Sequence, residues 1–142
     1  MNSTPFITYD EILQEFNELE NWEERCDYLI DLGFELPEFP EAEKTGDKLV
    51  RGCQSNVWMT LKRREDNPKI IDIAADSDAM IVRGLIAVLL AIYSGKTAEE
   101  ILAIDARKFF SELGLDRHLS PARRNGLGGM VQRIREFALS AV

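Results

Sequence analysis

Between Ile81 and Tyr93 the chain is apolar almost all round, with Arg83 as its one charged residue. A helix of that kind has no face for water and belongs inside a domain or inside a bilayer. Length decides between the two. The longest apolar run, Gly84 to Tyr93, falls well short of the ~18–20 residues that cross a bilayer core. The remaining elements are therefore expected to wrap around a central buried helix. A chain of 142 residues suits one domain, 1–142, large enough to need no disulfide or metal staple. An apolar fraction of 45% and a charged fraction of 30% exclude disorder.

The chain carries 25 acidic and 17 basic residues, a net charge of −8. That balance argues against general binding to nucleic acid or to anionic membranes. The charge is divided: residues 1–50 carry −11 and residues 51–142 carry +3. The boundary falls just before Arg51-Gly52-Cys53. Met1-Asn2-Ser3-Thr4-Pro5 has no basic region followed by an apolar run, so no leader is expected. The sequon Asn2-Ser3-Thr4 is discarded for that reason. A soluble, cytoplasmic protein with reduced thiols is the expectation.

Periodicity and caps divide the chain into elements. Thr8 with Glu11 forms a capping box ahead of Tyr9, Ile12, Leu13, Phe16 and Leu19 at helical spacing. Asn21 opens a second helix, with Trp22, Cys26, Leu29 and Ile30 on its stripe and Gly33 as its stop. Residues 34–47 lose periodicity and read as an ordered, exposed acidic loop. Val57, Met59 and Leu61 alternate with more polar neighbours, as do Ile71, Ile73 and Ala75. The turn Glu65-Asp66-Asn67-Pro68 makes these two strands a hairpin, and Lys48 to Arg51 is read as a third, shorter strand. After the central helix, Thr97 opens a helix with a capping box and Asp105 opens a short one that stops at Gly114. Ser120-Pro121 starts a last helix to about Ala138. This order predicts an α+β domain, a small antiparallel sheet packed against helices.

Cys53 is the residue with the clearest chemical promise. It sits in a loop between extended segments, after Gly52, which permits a sharp turn, and before Gln54 and Ser55. Lys48 and Arg51 lie close in sequence and are expected to favour its thiolate. Cys26, on a helical stripe, reads as a small hydrophobe. Cys26, Cys53 and His118 are too few and too scattered for a zinc or iron–sulfur site. His118 is the one imidazole available to a cysteine hydrolase, though its place before Ser120 reads as capping or packing. Gly126, Gly128 and Gly129 fall inside the last helix, so they suggest close packing in preference to a phosphate loop.

The run Val50-Arg51-Gly52-Cys53-Gln54-Ser55-Asn56-Val57-Trp58 resembles the signature of the SufE family. Further blocks fall in family order: Asn21-Trp22-Glu23-Glu24, Leu32-Gly33, Leu36-Pro37, Asp76-Ser77-Asp78-Ala79, Ile81-Val82-Arg83-Gly84-Leu85, and His118-Leu119-Ser120-Pro121-Ala122-Arg123 with Gly126-Leu127. The resemblance spans about residues 10 to 140. It implies a fold like that of IscU-type scaffolds, with the cysteine loop at one end of the sheet. It implies that Cys53 accepts persulfide sulfur from a PLP-dependent cysteine desulfurase of the SufS type and activates that enzyme. An iron–sulfur scaffold would be the downstream recipient. Gly52, Gln54, Ser55 and Arg123 would support Cys53, and Arg51, Trp58 and Asp78 would meet the partner. No metal or cofactor is implied for the chain itself, and a homodimer is left open. Cys26 stands where the family carries tyrosine, so no role passes to it. The other readings are a cysteine hydrolase using Cys53 and His118, and a regulatory module that binds a desulfurase without carrying sulfur. A carrier is expected to shelter its sulfur, so Cys53 is expected to be buried against Val57 and Trp58, on a loop that swings out at Gly52.

Overall fold

The computed structural model describes residues 7–142. The leader and sequon readings at residues 1–5 lie outside them. Helix α1 (Tyr9–Glu18) begins at the Thr8 capping box, where the Thr8 hydroxyl accepts from the Glu11 N–H and the Glu11 carboxylate accepts from the Thr8 N–H. Helix α2 (Trp22–Phe34) begins at Asn21, whose side chain accepts from the Glu24 N–H. Gly33 does not stop α2. It lies within the helix, where a β-carbon would stand 2.9 Å from the Arg83 β-carbon and from the Gly84 nitrogen. Close approach of two helices is the reason for this glycine, not termination.

The central helix α3 (Met80–Tyr93) has every residue from Gly84 to Tyr93 buried. Each such aliphatic side chain is worth roughly 1.5–3 kcal/mol of burial, so this element organises the rest. A β-carbon on Gly84 would collide with the Leu29 carbonyl oxygen of α2, which keeps the two backbones close.

Strands β1 (Val57–Arg63) and β2 (Ile70–Ser77) pair antiparallel, with Val57 opposite Ser77 and Leu61 opposite Ile73. Ile71, Ile73 and Ala75 alternate into the core. The third strand is not Lys48–Arg51. It is β3 (Lys96–Thr97), on the other side of β2, pairing Ile70 with Thr97 and Ile71 with Lys96. The segment before Cys53 makes a single bridge, Leu49 to Trp58, supported by the Val50 N–H donating to the Val57 carbonyl at 2.8 Å.

The acidic stretch is anchored more firmly than its charge suggests. Leu36 and Phe39 are buried, and the 3-10 turns Glu41–Glu43 and Gly46–Lys48 follow. Lys44 reaches Asp76 at 3.3 Å and lies 5.2 Å from the centre of the Trp58 ring. Arg83 approaches the other Asp76 oxygen at 3.1 Å, so one half-buried carboxylate ties this loop to the sheet and to α3.

Thr97 opens α4 (Ala98–Ala103) with a capping box, and α5 (Ala106–Glu112) ends at Gly114, whose φ is +75°. A single turn, α6 (Leu115–His118), leads to Ser120, the N-cap of α7 (Pro121–Ala141). The long helix α7 packs against α3 and α4. The architecture is α+β, a small antiparallel sheet among helices.

Candidate functional site

The loop from Arg51 to Asn56 closes one end of the sheet. Gly52 has φ +88°, in the left-handed region that glycine adopts without strain. On the far side, the Asn56 N–H donates to one Asp78 carboxylate oxygen and the Asn56 amide to the other, both at 3.1 Å. The Asp78 N–H returns to the Asn56 carbonyl at 3.3 Å. One end of the loop is therefore clamped, and the other turns on a glycine.

The loop lies on α7 because two glycines leave room for it. A β-carbon on Gly129 would collide with the Arg51 carbonyl oxygen, and one on Gly126 would stand 3.3 Å from the Cys53 sulfur. The Cys53 thiol instead points at the Gly126 carbonyl, to which it donates at 3.5 Å. Cys53 is half-buried, and burial pushes its thiol above the ordinary thiol range.

Beside the thiol is a cavity of about 160 Å³. Cys53, Gln54 and Ser55 line it from the loop, and Val57, Val82 and Leu85 from β1 and α3. The start of α7 closes it with Ser120, Ala122 and Arg123, and Leu127 and Met130 follow one turn on. The walls are apolar on one side, with Arg123 among the residues on the other.

The structure brings Cys53, Gln54, Ser55 and Arg123 to one cavity, with Gly52 at its turn. Arg51 is exposed at the loop tip and Asp78 is exposed but occupied with Asn56. The thiolate-stabilising role expected of Lys48 and Arg51 is absent. Lys48 is turned to Glu43 and Asp47, at 3.8 and 3.9 Å, and burial is the cause that acts on the Cys53 thiol. Trp58 does not cover the cysteine. It follows Val57 on the strand and so faces the opposite side of the sheet, where Lys44 packs on it.

His118 stacks on Trp22, ring centres 4.7 Å apart and planes 11° apart, and does not line the Cys53 cavity. The hydrolase pairing therefore lacks its base. Cys26 is half-buried on α2. Burial first, then Asp27, push its thiol up, while Arg123 acts in the other direction. Among the described residues no three His, Cys, Asp or Glu side chains gather as a metal-ligand group.

Sequence reading missed the groups that shape the shelter: the Gly126 carbonyl, Val82, Leu85, Leu127 and Met130. The helical glycines were the available signal. A helix interior disfavours glycine, so two of them one turn apart mark where another backbone comes close.

Comparison with known proteins is consistent with this geometry. The family model SufE, described as an Fe-S metabolism associated domain, matches residues 10–138. An uncharacterized SufE-like protein of Rhizobium etli is 50% identical over 131 residues, which cover 91% of this chain and 88% of that one. An uncharacterized SufE-like protein of Rhizobium meliloti is 45% identical over 130 residues, 91% of this chain and 93% of that one. The solution structure of a hypothetical protein from Thermus thermophilus superimposes with a TM-score of 0.73, covering 99% of this chain and 98% of that one. Its 19% identity makes that likeness one of fold alone.

Proposed function

This chain belongs to the SufE family of iron–sulfur metabolism, and from that premise we propose that Cys53 carries sulfur as a persulfide. The donor is a PLP-dependent cysteine desulfurase of the SufS type, and the recipient is an iron–sulfur assembly scaffold. The observation that carries the reading is the Cys53 thiol on a glycine-hinged loop, half-buried beside a cavity with room for one more sulfur.

The chemistry is thiol–persulfide exchange. The Cys53 sulfur, as thiolate, attacks the outer sulfur of the donor's cysteine persulfide. The donor's sulfur–sulfur bond breaks, a new one forms at Cys53, and the donor cysteine leaves as thiolate. The proton lost by Cys53 ends on that leaving cysteine, so no oxidant or reductant is consumed. The raised thiol pKa means that the resting residue is protonated and slow to react. Reaction requires the loop to move out, with Gly52 absorbing the change while Asn56 and Asp78 hold the other end. Afterwards Gln54, Ser55 and Arg123 line the space into which the persulfide anion returns.

Intact mass after incubation with such a desulfurase and cysteine tests this. The expected result is a gain of one sulfur, mapped to Cys53, with none on a folded Cys53→Ser variant and no stimulation of the desulfurase by it. Stimulation that survives Cys53→Ser would assign the chain to regulation without sulfur carriage.

A further inference from the structure

Helix α7 contains a third glycine that its packing does not need. Gly126 and Gly129 make room for the cysteine loop, but a β-carbon on Gly128 would meet nothing within 4 Å. A glycine in a helix interior costs about 1 kcal/mol relative to alanine. Gly128 is neither a cap nor a break, since α7 runs through it from Pro121 to Ala141. What it does is leave open a groove of about 360 Å³ between α5, α6 and α7.

The groove has an apolar body. Phe110, Leu115 and Leu119 line it on one side, Leu127 and Val131 on the other. Arg107, Arg124 and Asp116 also line it, all of them exposed. The Arg124 guanidinium donates to the Asp116 backbone carbonyl at 3.0 Å, which fixes its position. Arg107 meets Asp105 at 3.7 Å with its side chain 94% exposed, an ion pair that contributes little and yields readily to another anion. The charged side chains that line the groove are two guanidiniums, Arg107 and Arg124, and one carboxylate, Asp116. The site is therefore an apolar floor with two guanidiniums and one carboxylate at its edge.

We propose that this groove binds a small amphipathic anion, a medium-chain aliphatic carboxylate, because its volume lies in the range of small-molecule pockets and its apolar floor ends at Arg107 and Arg124. The aliphatic body lies over Gly128 between Phe110 and Val131, and the carboxylate meets Arg124 and Arg107. Leu127 also lines the Cys53 cavity, so the two spaces share a wall. The proposal does not depend on sulfur carriage.

The test is a titration of the isotope-labelled full chain with decanoate below its micelle concentration, followed by amide chemical shifts. Saturable shifts are expected at Phe110, Leu119, Leu127, Gly128 and Val131. Gly128→Leu fills the floor and should weaken binding by about tenfold or more while its unfolding temperature stays at or above that of the parent. Arg124→Gln should weaken it several-fold, and decanol should bind more weakly than decanoate. Val131→Phe fills the same groove from a neighbouring position and serves if Gly128→Leu does not fold. Shifts that do not saturate, that centre on exposed Phe34 or Leu139, or that survive both filling variants would overturn the proposal. Self-association abolished by Gly128→Leu would assign the groove to a second copy, and desulfurase binding lost in it without decanoate shifts would assign the groove to a protein partner. Either result overturns the ligand assignment.

Discussion

Burial lowers the intrinsic reactivity of the Cys53 thiol, and the same burial would protect the sulfur it is proposed to carry. The folded chain holds the Cys53 proton more tightly than the unfolded chain does. Its contribution to stability is therefore complete below the ordinary thiol pKa of about 8.5 and is lost as pH rises through the higher folded value. Two outcomes follow for the free protein. Iodoacetamide should modify Cys53 about tenfold more slowly than it modifies a small free thiol at neutral pH, and the rate should rise with a midpoint above about 8.5. A rate equal to that of the free thiol would defeat the sheltered-loop reading. Cys26→Ala should keep sulfur transfer, with a stability loss of about 1 kcal/mol measured by denaturant unfolding. Transfer abolished in a folded Cys26→Ala variant would remove Cys53 from its role as sole acceptor. Much of this site is legible from residues, because a glycine, a cysteine and two polar neighbours between extended segments already suggest a presented thiol. The expectation that Trp58 covers Cys53 fails for a local reason, since a strand sends Val57 and Trp58 to opposite faces. What the thiol would touch was not, because Gly126 is 73 residues away in the chain.

The helices and strands show where local pattern is sufficient and where it is not. Caps at Thr8, Asn21, Thr97 and Ser120 place helix starts correctly because they are satisfied within one turn. Strand β3 escapes a sequence reading because two residues carry no alternation and Thr97 also caps the next helix. Gly33 misleads because a glycine near a helix end signals a stop locally, while its actual cause lies in α3. The glycines of α7 allow a direct test of cause. Gly128→Ala should stabilise the fold by about 1 kcal/mol through helix propensity, since its side chain enters open space. Gly129→Ala should instead push the Arg51 carbonyl away, leave far-ultraviolet dichroism unchanged and speed Cys53 alkylation by about tenfold. Equal behaviour of the two variants would mean that α7 does not position the cysteine loop. Gly84→Ala, whose β-carbon meets the Leu29 backbone, should cost about 3 kcal/mol, measured as a lower denaturant midpoint.

At the scale of the molecule, charge is sorted along the chain. Residues 1–50, at −11, form α1, α2 and the acidic turns, while Arg51, Arg123 and the basic stretch from Arg107 to Arg124 belong to the rest. Cys53 follows the boundary between the two stretches in sequence, next to exposed Arg51, and shares its cavity with Arg123. The partner proposed to bring its own cysteine to this point approaches two exposed cations, Arg51 and Arg123. Their field orients an encounter more than it tightens the final contact, because exposed charges act at range and are screened by salt. Between about 0.1 and 1 M salt the Debye length shrinks from about 10 to about 3 Å, which removes the long-range part and leaves close contacts largely intact. Association of this chain with a SufS-type desulfurase, followed by stopped-flow fluorescence, should therefore slow by about tenfold over that range, with a much smaller change in dissociation. Arg51→Glu should reproduce part of the slowing at low salt and flatten the salt dependence, because Arg51 is exposed and its side chain takes no part in the shelter itself. The rate of sulfur arrival at Cys53 in the preformed complex should stay as it is in the parent. An association rate indifferent to salt, or a salt effect confined to dissociation, would show that docking is governed by contact at the loop and not by the exposed charges.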